Sequence, residues 1–175
     1  MSFFTPIENW IIPEFALTES IREMAQDGKK RREGIVLWLG KRAEGKAKIS
    51  HVVLLRGKGI IKESNFLRIE SWLLNEVTDI TINLGVAIIG QIHSHGTKYG
   101  TNLYFSDRKY GIAVPYYLSI VAPSFAMRKG IHITDCGVHV FEQGIGFRRL
   151  SITEIKKRIT IVPNGKLPVL TVGEI

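Results

Sequence analysis

The stretch Val86-Ala-Ile-Ile-Gly-Gln-Ile-His-Ser-His95 decides how this sequence is interpreted. Its first seven residues form a largely apolar run that follows a helical segment ended by Gly85. Such a run predicts a strand buried on both faces of a sheet. Similar runs at residues 35–39, 48–55 and 117–122 predict three more strands. Because helical segments alternate with these strands, the sequence indicates an α/β domain with a central mixed β-sheet flanked by helices.

Helical spacing of apolar residues predicts two helices, over residues 18–27 and 64–84. A third, short and basic helix is predicted after Ser151, which has capping-box spacing to Glu154. A hairpin is predicted around residues 143–144, and an all-parallel sheet is therefore excluded.

The length of 175 residues suits one domain, which we place at residues 10–162, with terminal extensions at 1–9 and 163–175. Hydrophobic residues make up 45% and charged residues 23%, which excludes disordered and coiled-coil classes. No apolar run approaches the roughly 18 residues that span a bilayer. Cys136 is the only cysteine, so a disulfide framework and a thiolate metal cage are excluded, and we expect a cytoplasmic location.

The chain carries a formal net charge of +8, with basic residues concentrated at 29–32 and 148–158. This sign favours acidic partners, although a solvated basic face explains it equally well. A nucleic-acid-binding module is one class that the charge allows, but the sequence has no RNA-binding or helix-turn-helix signature. We therefore expect neither nucleic acid nor a membrane as a partner.

Two histidines, His93 and His95, end the predicted strand and lie two residues apart, so their side chains share one face. Asp107 follows twelve residues after His95, beyond a glycine-containing loop. Two imidazoles and one carboxylate, with a fourth position left for water, form the arrangement of catalytic zinc. Such water ionises near neutral pH, and a carboxylate must accept its proton. Glu33, at the start of the first buried strand, is the candidate.

The ordered set Glu33, His93-Ser94-His95 and Ser106-Asp107 resembles the motif of the JAMM (MPN+) zinc metalloproteases. The resemblance extends beyond the motif to a prokaryotic JAMM subgroup with deubiquitinase-like members. It covers residues 10–162 and is carried by the segments at 32–40, 91–95, 118–123 and 137–141.

The resemblance implies a cytidine-deaminase-like α/β fold and hydrolysis of peptide or isopeptide bonds at the C-terminus of ubiquitin-like proteins. It also implies partners: a ubiquitin-like protein or its conjugates, together with ubiquitin-activating-like and ubiquitin-conjugating-like enzymes of a bacterial conjugation or antiphage-defence pathway. By position, one zinc ion would be bound by His93, His95 and Asp107. Glu33 would be the general base and acid, and Ser106 would polarise the scissile carbonyl.

The sequence departs from the family motif at two points. Gly96 stands where the family has proline, and Ser106 directly precedes Asp107 where the family has Ser-x-x-Asp. Tyr104 occupies the family's serine position and offers an alternative hydroxyl, while an ungapped alignment from the following strand would make Ser106 the metal ligand. A scaffold with the same fold but a weakened metal site is therefore the second hypothesis.

Overall fold

The structure is a computed structural model that describes residues 5–163 and 165–173. Residues 1–4, 164 and 174–175, which belong to the predicted terminal extensions, lie outside the described residues. The helices are α1 (Glu14–Gly28), α2 (Ser71–Leu84), α3 (Phe105–Tyr110) and α4 (Ile152–Arg158). The strands are β1 (Asn9–Pro13), β2 (Ile35–Ala43), β3 (Lys46–Arg56), β4 (Ile60–Lys62), β5 (Leu67–Ile69), β6 (Ala87–Ser94), β7 (Leu118–Ala122), β8 (Gly137–Glu142), β9 (Gly146–Arg149), β10 (Ile159–Val162) and β11 (Val169–Gly173).

Nine of the described strands form one mixed sheet in the order β10-β1-β3-β2-β6-β7-β8-β9, with β11 pairing with β3. Strand β2 is antiparallel to both of its neighbours, β3 and β6, whereas β6 and β7 are parallel. The predicted α/β class with a central mixed sheet is therefore confirmed. Strands β4 and β5 form a separate two-stranded sheet.

The central strand β2 supplies side chains to two hydrophobic cores, one on each face of the sheet. Val36 and Trp38 belong to the core beneath α1, while Leu37 and Leu39 belong to the core beneath α2. The alternation follows from the two-residue period of a strand. The Trp38 indole N–H donates to the hydroxyl of Ser20 on α1 (2.9 Å), so this buried polar group is satisfied.

Two predicted helices begin elsewhere in the structure. Helix α1 starts at Glu14, and Thr18, the first residue of the predicted helix, lies inside it with its hydroxyl donating to the Glu14 carbonyl (3.1 Å). The predicted helix over 64–84 starts only at Ser71, because residues 67–69 follow a two-residue burial pattern and form β5. The predicted end of α2 is confirmed by Gly85, which has a φ of 66°.

Both chain ends contribute strands to the main sheet. Strand β1 pairs in parallel with β10 and with the first residues of β3. Strand β11, from the predicted C-terminal extension, pairs in parallel with residues 52–56 of β3. The sheet therefore reaches beyond residue 162. No helix in the described part of the chain is long and apolar enough to cross a bilayer.

Candidate metal centre

The carboxyl end of β6 presents His93 and His95 on one face of the sheet. Ser94, between them, points to the other face, as its position in the strand predicts. Its hydroxyl accepts a hydrogen bond from the Gly34 N–H (2.8 Å), and its own N–H donates to the Gly34 carbonyl (3.0 Å). These two bonds fix the histidine strand against the residue that follows Glu33.

Three potential ligand atoms converge at this end of β6. The Nε2 atoms of His93 and His95 are 3.2 Å apart. The Oδ2 atom of Asp107 lies 3.1 Å from Nε2 of His95 and 3.5 Å from Nε2 of His93. Both imidazoles are buried, and the ligand atoms all lie within 4.8 Å of one another. This group could hold a metal ion.

The protonation of His95 supports this assignment. Its Nδ1 atom lies 3.1 Å from the Gly100 carbonyl oxygen, which only accepts, so Nδ1 carries the proton. Burial lowers the pKa of His95, which keeps the ring neutral at pH 7. Its Nε2 lone pair therefore faces the Asp107 oxygen and the second imidazole. An N,N,O set of this kind suits a divalent metal.

Asp107 lies in the first turn of α3, where its Oδ2 atom also accepts the Tyr104 N–H (2.7 Å). Burial alone would raise the pKa of Asp107, but its contacts with His93 and His95 outweigh burial and hold the pKa well below its usual range. Asp107 is therefore both the acidic residue in the first turn of α3 and the third potential metal ligand. Ser106 does not take the ligand position.

A hydrogen-bonded pair behind His93 orients its ring. The Gln91 amide lies 3.4 Å from His93 Nδ1, and the Tyr117 hydroxyl donates to Gln91 Oε1 (2.9 Å). Gln91 is nearly buried and Tyr117 is fully buried. Such partners fix the orientation of metal ligands. Neither residue was predicted from the sequence, although the spacing of Gln91, two positions before His93 on the same strand face, indicates such a role.

Glu33 is fully buried, and neither carboxyl oxygen has a hydrogen-bond partner among the described residues. Its backbone N–H donates to the Glu63 carbonyl (2.7 Å), which ties it to the loop between β4 and β5. Burial, together with the Asp107 charge, raises the pKa of Glu33 to about 9. An unpartnered buried carboxyl is costly, and near three convergent ligand atoms it fits a group that acts on a bound cation or its water.

Two hydroxyl groups border the centre. The Tyr104 ring stacks on His95 with a centroid distance of 3.8 Å and an interplanar angle of 2°. Its buried hydroxyl has no partner in the described ranges. Burial raises the pKa of Tyr104, and the charges of Glu33 and Asp107 raise it further, so it remains a hydrogen-bond donor. Ser106 lines a cavity together with His93 and Asp107.

That cavity, which we call the tail groove, runs from the ligand atoms to β5. Its walls are Leu67 and Ile69 of β5 on one side and Tyr110 of α3 on the other. The Arg68 guanidinium lies 5.3 Å from the centre of the Tyr110 ring, which joins the two walls. The structure thus places the predicted metal ligands near Glu33 and sets Ser106 beside a small cavity of about 50 Å³.

No protein-family model and no curated protein matches this sequence. Among solved structures, the chain is similar to protein DSY2949 from Desulfitobacterium hafniense, determined in solution by the Northeast Structural Genomics Consortium. The two share 14% sequence identity with a TM-score of 0.62, over 89% of this chain and 94% of the other. At this identity the likeness concerns the fold: the chain has the α/β architecture of that protein.

Proposed function

We propose that this protein is a zinc-dependent peptidase or isopeptidase that cleaves at the C-terminus of a ubiquitin-like protein, on a JAMM/MPN-type, cytidine-deaminase-like fold. The observation that carries the proposal is the convergence of His93, His95 and Asp107 beside the buried carboxyl of Glu33. A metal-assisted hydrolase needs metal ligands of suitable type, a buried site and a carboxyl that can exchange a proton, and these occur here together.

The three ligands would hold one zinc ion, which supplies Lewis acidity and activation of the attacking water. Glu33 accepts the proton of the nucleophile and returns it to the leaving amine. Accepting a proton requires the ionised carboxyl, which the positive charge of a bound cation would favour by lowering the pKa of Glu33. The hydrogen bonds between Ser94 and Gly34 hold the backbone next to Glu33 against the strand that carries the histidines. Burial of the whole cluster excludes bulk water and strengthens its electrostatic interactions.

A hydroxyl must polarise the scissile carbonyl and stabilise the developing negative charge. The family motif assigns this role to a serine, and Ser106 is the serine beside the ligands. Tyr104 stands at the family position by spacing, and its hydroxyl is buried without a described partner. Ser106→Ala and Tyr104→Phe each remove one hydroxyl with little change of shape, so comparing their cleavage rates assigns the role.

The substrate tail would bind in an extended conformation. Strand β5 pairs only with β4 among the described strands, so its second edge can take up an added strand. That strand lines the tail groove leading to His93 and Asp107. The loop at residues 96–104 borders the same centre through Tyr104. An extended tail of small residues, such as ubiquitin-like proteins carry, fits this narrow approach.

The pathway and the partners follow from the same proposal. The protein would act in the cytoplasm of a bacterium, on a ubiquitin-like protein or its conjugates, alongside ubiquitin-activating-like and ubiquitin-conjugating-like enzymes of a conjugation or antiphage-defence system. Deconjugation and trimming of a precursor would use the same chemistry, because both break an amide bond after the tail.

Metal analysis combined with a cleavage assay tests the proposal. Purified protein is expected to carry about one zinc ion per chain and to release the fluorophore from ubiquitin-like proteins with a C-terminal fluorogenic amide. Glu33→Ala should retain zinc and lose cleavage, whereas His93→Ala should lose both. Loss of zinc from Glu33→Ala would instead assign Glu33 a structural role.

The second candidate is a non-catalytic scaffold that binds a partner protein. The observation that favours it is the spacing of Ser106 and Asp107, which differs from the family motif. A scaffold would hold little zinc and cleave nothing, so stoichiometric zinc together with cleavage that depends on Glu33 contradicts it.

A further inference from the structure

A second cleft, which we call the basic cleft, opens on another side of the metal centre and has a volume of about 820 Å³. Its walls come from the end of α1 and the following turn, from the loop after β6, and from the segment after β7. Ser64, between β4 and β5, completes the lining. The basic cleft shares no lining residue with the tail groove.

Four cations line the basic cleft, namely Lys29, Arg31, Lys98 and Arg128, and no carboxylate does. Arg128 is partly neutralised by Asp135 at 3.0 Å. Within residues 5–163 and 165–173, neither Arg31 nor Lys98 has a carboxylate at ion-pair distance. The cleft therefore offers unpaired positive charge in a concave setting, where a complementary charge is bound most effectively.

Part of the lining of the basic cleft is apolar. Phe125 and Met127 lie on one wall and Tyr99 on another, and the side chains of Met127 and Tyr99 are about half exposed. Apolar and aromatic side chains among cations suit a peptide that combines acidic and apolar residues. Aromatic rings also stack on nucleic-acid bases, but the half-exposed Met127 adds an aliphatic surface that suits an apolar side chain, which favours a protein ligand.

Backbone strain is concentrated at this cleft. Of the six non-glycine residues with positive φ in the described ranges, three belong to its walls: Arg31, Ser124 and Phe125. A bulky residue such as Phe125 adopts this conformation only where the surrounding structure imposes it, and such strain clusters at binding sites. The Phe125 N–H donates to the His95 carbonyl (2.7 Å), which fixes the strained segment to the ligand strand.

The lining of the basic cleft lies next to the metal centre along the chain. Gly96, in its lining, directly follows the ligand His95. The Tyr99 ring meets the Tyr104 ring edge-on at 5.7 Å, and Tyr104 stacks on His95. The Tyr99 and Tyr104 rings therefore connect the lining of the basic cleft with the candidate ligand His95.

We propose that the basic cleft binds an acidic segment, with an apolar side chain against Phe125 and Met127, on the side of the cleaved bond opposite the ubiquitin-like tail. The inference rests on the proposed function and deepens it, because it assigns the released protein an acidic, partly apolar sequence at the cleavage point. Arg31 and Lys98 would select that sequence by charge, and the tail groove would select the tail.

Fluorescence anisotropy tests the inference without requiring cleavage. The probe is a short fluorescein-labelled peptide of Asp, Glu and Leu. The double variant Arg31→Glu/Lys98→Glu is expected to bind it at least about 10-fold more weakly than the wild type. The matched control, Lys156→Glu/Lys157→Glu on the exposed face of α4, changes net charge equally and should alter the affinity less than about 2-fold.

The outcomes separate this inference from the proposed function. Glu33→Ala should bind the probe like the wild type, so loss of cleavage leaves the binding result intact. Equal weakening in both double variants would show that only net charge matters and would overturn the inference. Tighter binding of a labelled single-stranded oligonucleotide, lost in Arg31→Glu/Lys98→Glu, would also overturn it and make the cleft a nucleic-acid surface.

Discussion

Replacing Glu33 with glutamine removes one ionisable group and preserves the size of the side chain. In the metal-free native state the carboxyl holds its proton up to a pKa of about 9, whereas in the unfolded chain it ionises at its ordinary value of 4.5. Between these values the native state binds one more proton than the unfolded state. The free energy of unfolding therefore falls as the pH rises through this window.

The size of the effect follows from proton linkage. One additional bound proton changes the free energy of unfolding by about 1.4 kcal/mol per pH unit. From pH 6 to pH 8 the metal-free wild type is therefore expected to lose about 3 kcal/mol that the Glu33→Gln variant retains. The full effect applies because Glu33 is fully buried and has no described partner that would favour its charged form.

Urea unfolding in the presence of a chelator, at pH 6, 7 and 8, measures this difference. The control is Glu76→Gln, which removes an exposed carboxyl on α2 and should follow the pH dependence of the wild type. The same pH dependence in wild type and Glu33→Gln would refute the reasoning, because it would mean that Glu33 is solvated or paired in the native state. With zinc present, Glu33→Gln should still bind the metal.

Three other changes probe the surroundings of the ligands. Asp107→Asn replaces a charged ligand by a neutral one and should lower zinc affinity at least about 10-fold in competition with a chromophoric chelator; an unchanged affinity would exclude Asp107 as a ligand. Tyr117→Phe removes the hydroxyl that holds Gln91 and should weaken zinc binding about 10-fold with unchanged circular dichroism, whereas wild-type affinity would limit the pair to packing. Burial lowers the pKa of His139 to about 4, so the imidazole takes up a proton at higher pH in the unfolded chain than in the native state, and the free energy of unfolding falls as the pH drops from 6.5 to 4. His139→Gln should reduce this loss of stability, measured by urea unfolding across that pH range. An equal loss in the variant and the wild type would contradict the prediction.

Much of the sheet could be predicted from the sequence because buried strands require continuous apolar runs. Strands β2, β3, β6 and β7 all fall on such runs, and the β8–β9 hairpin falls around the predicted turn. The two-residue period of a strand also predicted that His93 and His95 share a face and that Ser94 points away from them. These features depend on neighbouring residues, which a sequence displays directly.

Other elements were not predictable, because their partners are distant along the chain. Strands β1 and β10 are short: β1 joins the sheet by pairing with β3, and β10 joins it by pairing with β1 across the whole domain. Strand β11 is likewise defined by its pairing with β3. The segment at 64–70 was included in a predicted helix, yet pairing with β4 makes residues 67–69 a strand. Long-range pairing overrides local propensity in such cases.

The amino-acid sequence determined which donor types are present and the order in which they occur: an acid on the first buried strand, two histidines on another, and an aspartate after a loop. Only the tertiary structure decided that Asp107, rather than Ser106, faces the imidazoles and that Tyr104 stacks on one of them. The same holds for the pKa of Glu33, which burial sets. Burial and convergence arise from contacts between segments that are far apart in the chain, and spacing along one chain does not encode them.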